Sequence, residues 1–386
     1  MQDAPGDVKS VDSNLTIEII TSQEEFKQLR TEWNALLAES LRKSFFLTWE
    51  WQFQWWCYYK QIETAKALNI VLLRGADGKL QAILPLYISE VNGLPGLKLR
   101  LGFLIGSGHE SSEYLDIIVS ETCDLEELVP VFEAVQNMVL DGLHLSDQTN
   151  ESILLFSLTR WVGKNDLFAE KRYWKTCPFI SLNGTYENFI GSLSKNMRYN
   201  VRRRTRNLEK DFSVKFHCID QPEEAIKTVD VLYALHRKRW DTRDGTSKFD
   251  DPVREKFHAH IAAPLLDAGY LRFYVLELND TPVATLYCFN YDGHVYYYQA
   301  GMDPEFEKNS IGMVIMGKAI EASFAENAHE FDFLRGLEEY KFRWTDQTRE
   351  TYILEVGLSK SATAVFKLNA YWRQLKKAIK GMLKMR

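Results

Sequence analysis

The chain has 386 residues, 45% of them hydrophobic and 26% charged, with a formal net charge of −6. That length exceeds one ordinary core, so two domains are expected in a globular protein of common composition. The negative charge argues against a DNA partner, and no window approaches the roughly 18 apolar residues of a bilayer span. Five scattered cysteines (Cys57, Cys123, Cys177, Cys218 and Cys288) without a CxxC pair suggest reduced thiols and a cytoplasmic protein. No histidine pair has ligand spacing with a third ligand nearby, so no metal is expected.

Residues 1–14 are polar, contain Pro5 and Gly6, lack a signal peptide's apolar stretch and read as a disordered leader. "LTIEIIT" (15–21) reads as a strand, and 22–40 as a helix with Ser22 and Glu25 as a capping box. An aromatic-rich helix over 48–60 precedes strands within 68–91, closed by the hairpin signal at 76–79. Strands "LKLRLGFLIG" and "YLDIIVS" follow, then a helix over 124–142 with Pro130 inside it. The loop Gly106 to Gly108 leads to Ser112, Glu113, Tyr114 and Asp116, which are candidates to line an interdomain cleft.

A helical pattern fills 185–212, with Ile190, Leu193, Met197, Val201 and Leu208 on one stripe. Lys195, Arg198, Arg202 and Arg206 fall on a nearly opposite stripe, either a solvated face or a landing strip for an anionic carrier. In "ALHRKRW", His236 and Arg239 either reach substrate or complement a helix end. Three strands over 270–303 are separated by turn residues at 279–282 and 292–293. "LRFYVLELNDTPVATLYCFNY" parallels "LNIVLLRGADGKLQAILPLYI", which hints at an internal duplication. A helix over 311–327 and strands "EFDFL" and "TYILEVGL" complete a mixed α/β pattern. Neither GxGxxG nor a P-loop occurs.

Two stretches carry chemistry. In "MDPEFEKNSIGMVIMGKAIE", Ser310, Ile311 and Gly312 open an apolar helix whose N-terminus could hold a pyrophosphate, with Gly312 permitting close approach. A capping serine and a packing glycine explain the same residues. In "FDFLRGLEEYKFRWTD" (331–346), a strand gives way to Gly336 and then to charged and aromatic residues. This is either a strand end opening onto an active site or a solvated turn with an i,i+3 pair of Glu338 and Lys341.

These two stretches, with "LGFLIGSGHESSEYLDIIV" and "SLSKNMRYNVRRRTRNLEK", resemble the GNAT-type acetyltransferase domain of the CelD-like family, described as involved in cellulose biosynthesis. The resemblance spans most of the chain. It implies an α/β (mixed α+β) fold of two tandem GNAT-like domains, 15–180 and 181–360, with mostly antiparallel central sheets. It also implies an N-acyltransferase using acetyl-CoA or another acyl-CoA; the first hypothesis for the acceptor is an amine of a sugar, polysaccharide or cell-envelope precursor. The carrier would lie along Tyr298, Gln299, Ala300, Gly301 and Met302, with Lys308, Ser310, Ile311 and Gly312 at its pyrophosphate. Ile311 stands where the family commonly has a proline. Glu338 is the expected base, with Asp332 beside it, and Tyr340 or Tyr298 would protonate the leaving thiolate. Glu113, Asp116, Arg198, Arg202, His236, Arg239, Arg335 and Lys341 are the expected substrate contacts. One alternative is a FemAB-like transferase using aminoacyl-tRNA. Another is a non-catalytic subunit of an exopolysaccharide assembly.

The tail 361–386 has no acidic residue, and Leu368, Tyr371, Trp372, Leu375, Ile379 and Leu383 form an apolar stripe. It reads as a basic amphipathic helix that either docks on the protein or lies on a membrane's cytoplasmic face.

Overall fold

The computed structural model describes residues 15–62, 66–110, 112–241 and 251–384; the leader expected over 1–14 lies outside the described residues. The first half runs β1 (Thr16–Ile20), α1 (Gln23–Gln28), α2 (Arg30–Ala38), α3 (Trp49–Tyr59), β2 (Lys66–Arg74), β3 (Leu80–Asn92) and β4 (Lys98–Leu104). It continues with β5 (Ile118–Val119), α4 (Val129–Gln136), β6 (Gly142–Thr149), α5 (Ile153–Lys164) and β7 (Phe168–Ser181). The second half holds α6 (Tyr186–Ser192), α7 (Lys195–Asp211), β8 (Val214–Cys218), α8 (Pro222–Asp241), α9 (Pro252–Asp267), β9 (Leu271–Leu278), β10 (Thr281–Tyr291) and β11 (His294–Met302). It ends with α10 (Ile311–Ala325), β12 (Glu330–Asp332), β13 (Thr348–Gly357) and α11 (Lys360–Lys384).

Local chemistry explains the element starts. Ser22 and Glu25 form the expected capping box, but the helix breaks at Leu29 into α1 and α2. The helix expected over 124–142 begins as a 3-10 turn boxed by Asp124 and Glu127. Pro130 sits in the first turn of α4, where a missing N–H costs little.

The strands join in one sheet of order β1-β2-β3-β4-β6-β13-β7-β12-β11-β10-β9-β8, with β5 on β3. All neighbours are antiparallel except β4 with β6 and β11 with β12. The two parallel pairs mark the equivalent centres of the halves. Between them the chain crosses over: β7 pairs with β12 of the second half, and β13 pairs with β6 of the first. The division at 180/181 therefore follows chain order, whereas the sheet is shared.

Core packing also crosses the halves. Phe45 stacks on Phe289 with ring centroids 4.0 Å apart, and Trp51 meets Phe257 edge-on at 5.3 Å. Of the residues expected to line an interdomain cleft, Ser112 and Glu113 are buried at the junction, while Tyr114 and Asp116 border a small cavity between the halves. On the other face of the second-half sheet, α7 and α10 bury Met197, Val201, Ile315 and Ile320 against Phe331 and Phe333.

Candidate functional site

The sheet splits at one place in the second half. β11 and β12 run parallel only through His294↔Glu330, Val295↔Phe331 and Tyr296↔Asp332. Past Asp332 the chain turns at Leu334 (φ 55°) and Gly336 (φ 123°), while β11 continues to Met302. A bulge in β10–β11 aids the separation: Tyr287 faces Gln299 and Cys288 faces Tyr297, so Tyr298 is the extra residue. A cavity of about 420 Å³ fills the fork, bordered by Tyr297, Met302, Tyr340 and the start of α10.

No side chain caps α10. Ser310 precedes it in the left-handed region (φ 58°), and its carbonyl accepts from the amides of Met313 and Val314. Ser310, Ile311 and Gly312 line the cavity, so the positive end of the helix lies in its wall. A Cβ at Gly312 would come within 2.7 Å of Met302 Sδ, so any larger residue there would displace the end of the Met302 side chain into the cavity lining. Arg239 and Arg343 add cationic groups to the lining, against Asp303 and Glu307. The two arginines and two carboxylates of the lining balance, so the positive pole that an anionic carrier with a long arm would meet is the start of α10.

At the throat, Tyr340 donates through its hydroxyl to that of Tyr297 at 3.5 Å. The Tyr340 ring is 39% exposed, but its hydroxyl points inward, and burial pushes the phenol up to about 12. Lys341 is buried; its Nζ donates to the Arg335 carbonyl at 2.7 Å and pairs with Glu338 at 3.0 Å.

Behind the fork lies a buried set of charges. Asp332 accepts from Tyr114 Oη at 2.6 Å and from Arg349 at 3.1 Å. Burial outweighs Arg349 and pushes the Asp332 carboxyl up to about 6. Glu113 and Asp147 both pair with Arg335, which also donates to the Ser112 carbonyl at 3.0 Å. Burial dominates at Glu113; with Asp147 and Asp332 close, it overcomes Arg335 and pushes the carboxyl up to about 7. Glu113 Oε2 has no hydrogen-bond partner among the described residues. A further buried carboxylate, Glu110, is held down at about 2: burial opposes ionisation, but His258, Arg254 and Tyr59 outweigh it.

The structure brings together Met302, Ser310, Ile311, Gly312, Tyr340 and Arg239 at the cavity. It separates others from it. Tyr298 turns to the opposite face, where its hydroxyl donates to Glu110 at 2.7 Å, because the bulge shifts the strand's alternation. Gln299 and Ala300 are ladder residues paired with Tyr287 and Leu286. Gly301 serves packing, since a Cβ there would lie 2.8 Å from the Leu232 carbonyl on α8. Lys308 is exposed, and its carbonyl accepts from Arg204 at 3.3 Å. Glu338 is exposed and paired with Lys341, so the i,i+3 pair forms and the expected base does not reach the cavity. Asp332, Glu113 and Arg335 belong to the charge set behind the fork. Asp116 caps α5, accepting from the amides of Ile153 and Leu154 at 2.9 and 2.8 Å, and borders a smaller cavity of about 140 Å³. Arg202 is exposed on α7 and Arg198 is half-buried there, donating to the Gly191 carbonyl at 2.8 Å; both lie outside the cavity wall, and His236 is buried in α8. Tyr297, Arg343 and Trp344 line the cavity without having been singled out for it; the run of three tyrosines at 296–298 was the only signal for Tyr297.

The first half does not repeat the cavity's features. Beyond its own parallel pair, β6 carries Ser146, Asp147 and Gln148, and Gln148 is bonded to the Leu115 carbonyl at 2.5 Å. The helix between its two parallel strands, α4, follows the acidic 3-10 turn of Glu126 and Glu127. Like charge there disfavours a phosphate.

Residues 195–342 match the family model described as an acetyltransferase (GNAT) domain, and they contain both fork strands and α10. That match gives the second half, with its fork and α10, its likeness to acetyltransferase domains of the GNAT type. Among solved structures the chain is similar to FemX, at 11% identity, covering 87% of this chain and 96% of that one, with a TM-score of 0.59. It is also similar to L-PGS from Bacillus licheniformis (11% identity, 87% and 95% covered, TM-score 0.53). A protein of unknown function from Bacteroides thetaiotaomicron gives 10% identity, 88% and 100% covered and a TM-score of 0.55. At such identities these likenesses establish the fold alone. No curated protein matches the chain.

Proposed function

We propose that the chain transfers an acyl group from acyl-CoA to an amine, with the acceptor a sugar, polysaccharide or cell-envelope precursor as in the CelD-like family. The carrier supplies the activated acyl thioester. The observation that carries the reading is the forked cavity with the uncapped start of α10 in its wall. In this reading the pyrophosphate sits at the amides of Ile311 and Gly312, helped by Arg239 and Arg343. The Tyr340 hydroxyl, protonated across the physiological range, donates to the departing sulfur. Glu113 lies behind the fork and does not line the cavity, so in this reading the amine's proton reaches it through a relay; it is the foremost acceptor because it titrates near neutrality and has an oxygen without a hydrogen-bond partner.

Calorimetry with acetyl-CoA tests the carrier site. Binding is expected for the native chain and is expected to vanish in Gly312→Trp, whose indole would occupy the wall. Silence of the native chain toward a series of acyl-CoAs would overturn the reading.

One observation favours a second reading, a FemAB-like transfer from aminoacyl-tRNA. Helix α7 packs beside α10 and carries Arg202 and Arg206 on its exposed face, with the half-buried Arg198 one turn before them, a site for a larger polyanion. Saturable binding of charged tRNA, lost on Arg202→Glu, with no acyl-CoA signal would select it.

A further inference from the structure

Helix α11 changes character along its length. Its first turns bury Ala362, Val365 and Phe366 against Leu99 and Leu101 of β4. On the same side Arg373 pairs with Glu170 and Glu355, which ends the docked part. A different face stays bare. Leu368, Tyr371, Trp372 and Ile379 are exposed, with Tyr371 61% and Trp372 51% accessible. With Leu375 they follow helical spacing and form one stripe, rotated by more than a quarter turn from the docked residues. The sequence left open whether this stripe docks; the part that docks is the neighbouring face.

The charge beside the stripe is of one sign. Residues 360–386 contain eight Lys or Arg and no Asp or Glu, in a chain whose net charge is −6. Lys376 and Lys377 are exposed, and no ion pair holds either among the described residues. No described helix is long and apolar enough to cross a membrane, so insertion across a bilayer does not explain the stripe.

We infer that α11 beyond Arg373, with the stripe from Leu368 to Ile379, is a binding surface for an anionic lipid bilayer. Aromatic and aliphatic groups on one face and lysines on the other are what a helix lying in the headgroup region requires. The charge favours lipid over a second copy of the chain: pairing two copies would bring two segments of the same positive sign into one place with no acidic residue between them, whereas anionic headgroups neutralise them. The surface is independent of the acyl-transfer reading, because it shares no residue with the forked cavity.

Co-sedimentation of the full chain with vesicles tests the proposal, using phosphatidylcholine alone and phosphatidylcholine with phosphatidylglycerol. Binding is expected only to the anionic vesicles, weakening as salt is raised. Each lysine near the surface contributes about fivefold, so Lys376→Glu with Lys377→Glu should reduce binding more than tenfold. Tyr371→Ser with Trp372→Ser should reduce it similarly, with circular dichroism and acyl-CoA binding unchanged. These substitutions are exposed, so folding is expected to survive them. No binding, equal binding to both vesicles, or binding unaffected by either double variant would overturn the proposal. So would concentration-dependent dimerisation in sedimentation velocity that the Tyr371 and Trp372 substitutions abolish, since the stripe would then belong to a second copy.

Discussion

Glu110 and Glu113 stand three residues apart in one loop, and their surroundings move their protons in opposite directions. Glu110 accepts from Tyr59, Tyr298 and Arg254 and lies near His258, so its ionised form is favoured and its carboxyl is held at about 2. Its contribution to stability is present above the ordinary value of 4.5 and is lost as pH falls through about 2. Glu113 goes the other way: its carboxyl is raised to about 7, so stability is fullest below 4.5 and falls as pH rises through 7. Glu113→Gln should flatten that decline when urea unfolding is followed between pH 4.5 and 8. If Glu113 is also the proton acceptor, the substitution should lower kcat by about 100-fold and remove the rise of kcat/KM with pH near 7. Loss of the stability slope with an unchanged rate would restrict Glu113 to a structural role. Glu113 stood out in the sequence because it follows a glycine-rich loop. Glu110 did not, since its partners come from α3, α9 and β11, distant along the chain.

At the scale of elements, what the sequence displayed was turn chemistry and periodicity. Hairpin residues at 76–79, 279–282 and 292–293 separated the strands correctly. The bulge in β10–β11 was hidden because Tyr296, Tyr297 and Tyr298 are alike, and only the pairing says which faces the fork. For that reason Tyr298 was expected at the carrier and Tyr297 was not. Asp116 was similarly misplaced: its acceptors are used by the start of α5, which lies 36 residues or more away in the chain. Asp116→Ala would leave buried amides without an acceptor, and we expect a loss of about 2–4 kcal/mol in urea unfolding. Acyl-CoA affinity, measured by calorimetry under folding conditions, should stay unchanged, because α5 does not border the forked cavity.

For the whole molecule, the crossed central strands decide the mechanics. The repeated strand pattern suggested two modules, and the two parallel pairs agree with that reading. The exchange of β7 and β13 had no local signature, because pairing of β6 with β13 joins segments about 200 residues apart. Each half needs a strand from beyond the other's fork strand, and Phe45, Trp51, Phe257 and Phe289 pack across the junction. The chain should therefore unfold in one calorimetric transition, with equal van't Hoff and calorimetric enthalpies. Two resolved peaks would show that the halves are separate cooperative units.

The crossing also matters while the protein is being made. A ribosome that has completed β6 must add about 200 more residues before β13 exists, roughly 10–40 s at 5–20 residues per second. Throughout that interval the nascent first half lacks its native neighbour at β6, and an unpaired strand edge is a template for wrong partners. Chaperone dependence during synthesis should thus track the arrival of β13 rather than completion of the first half.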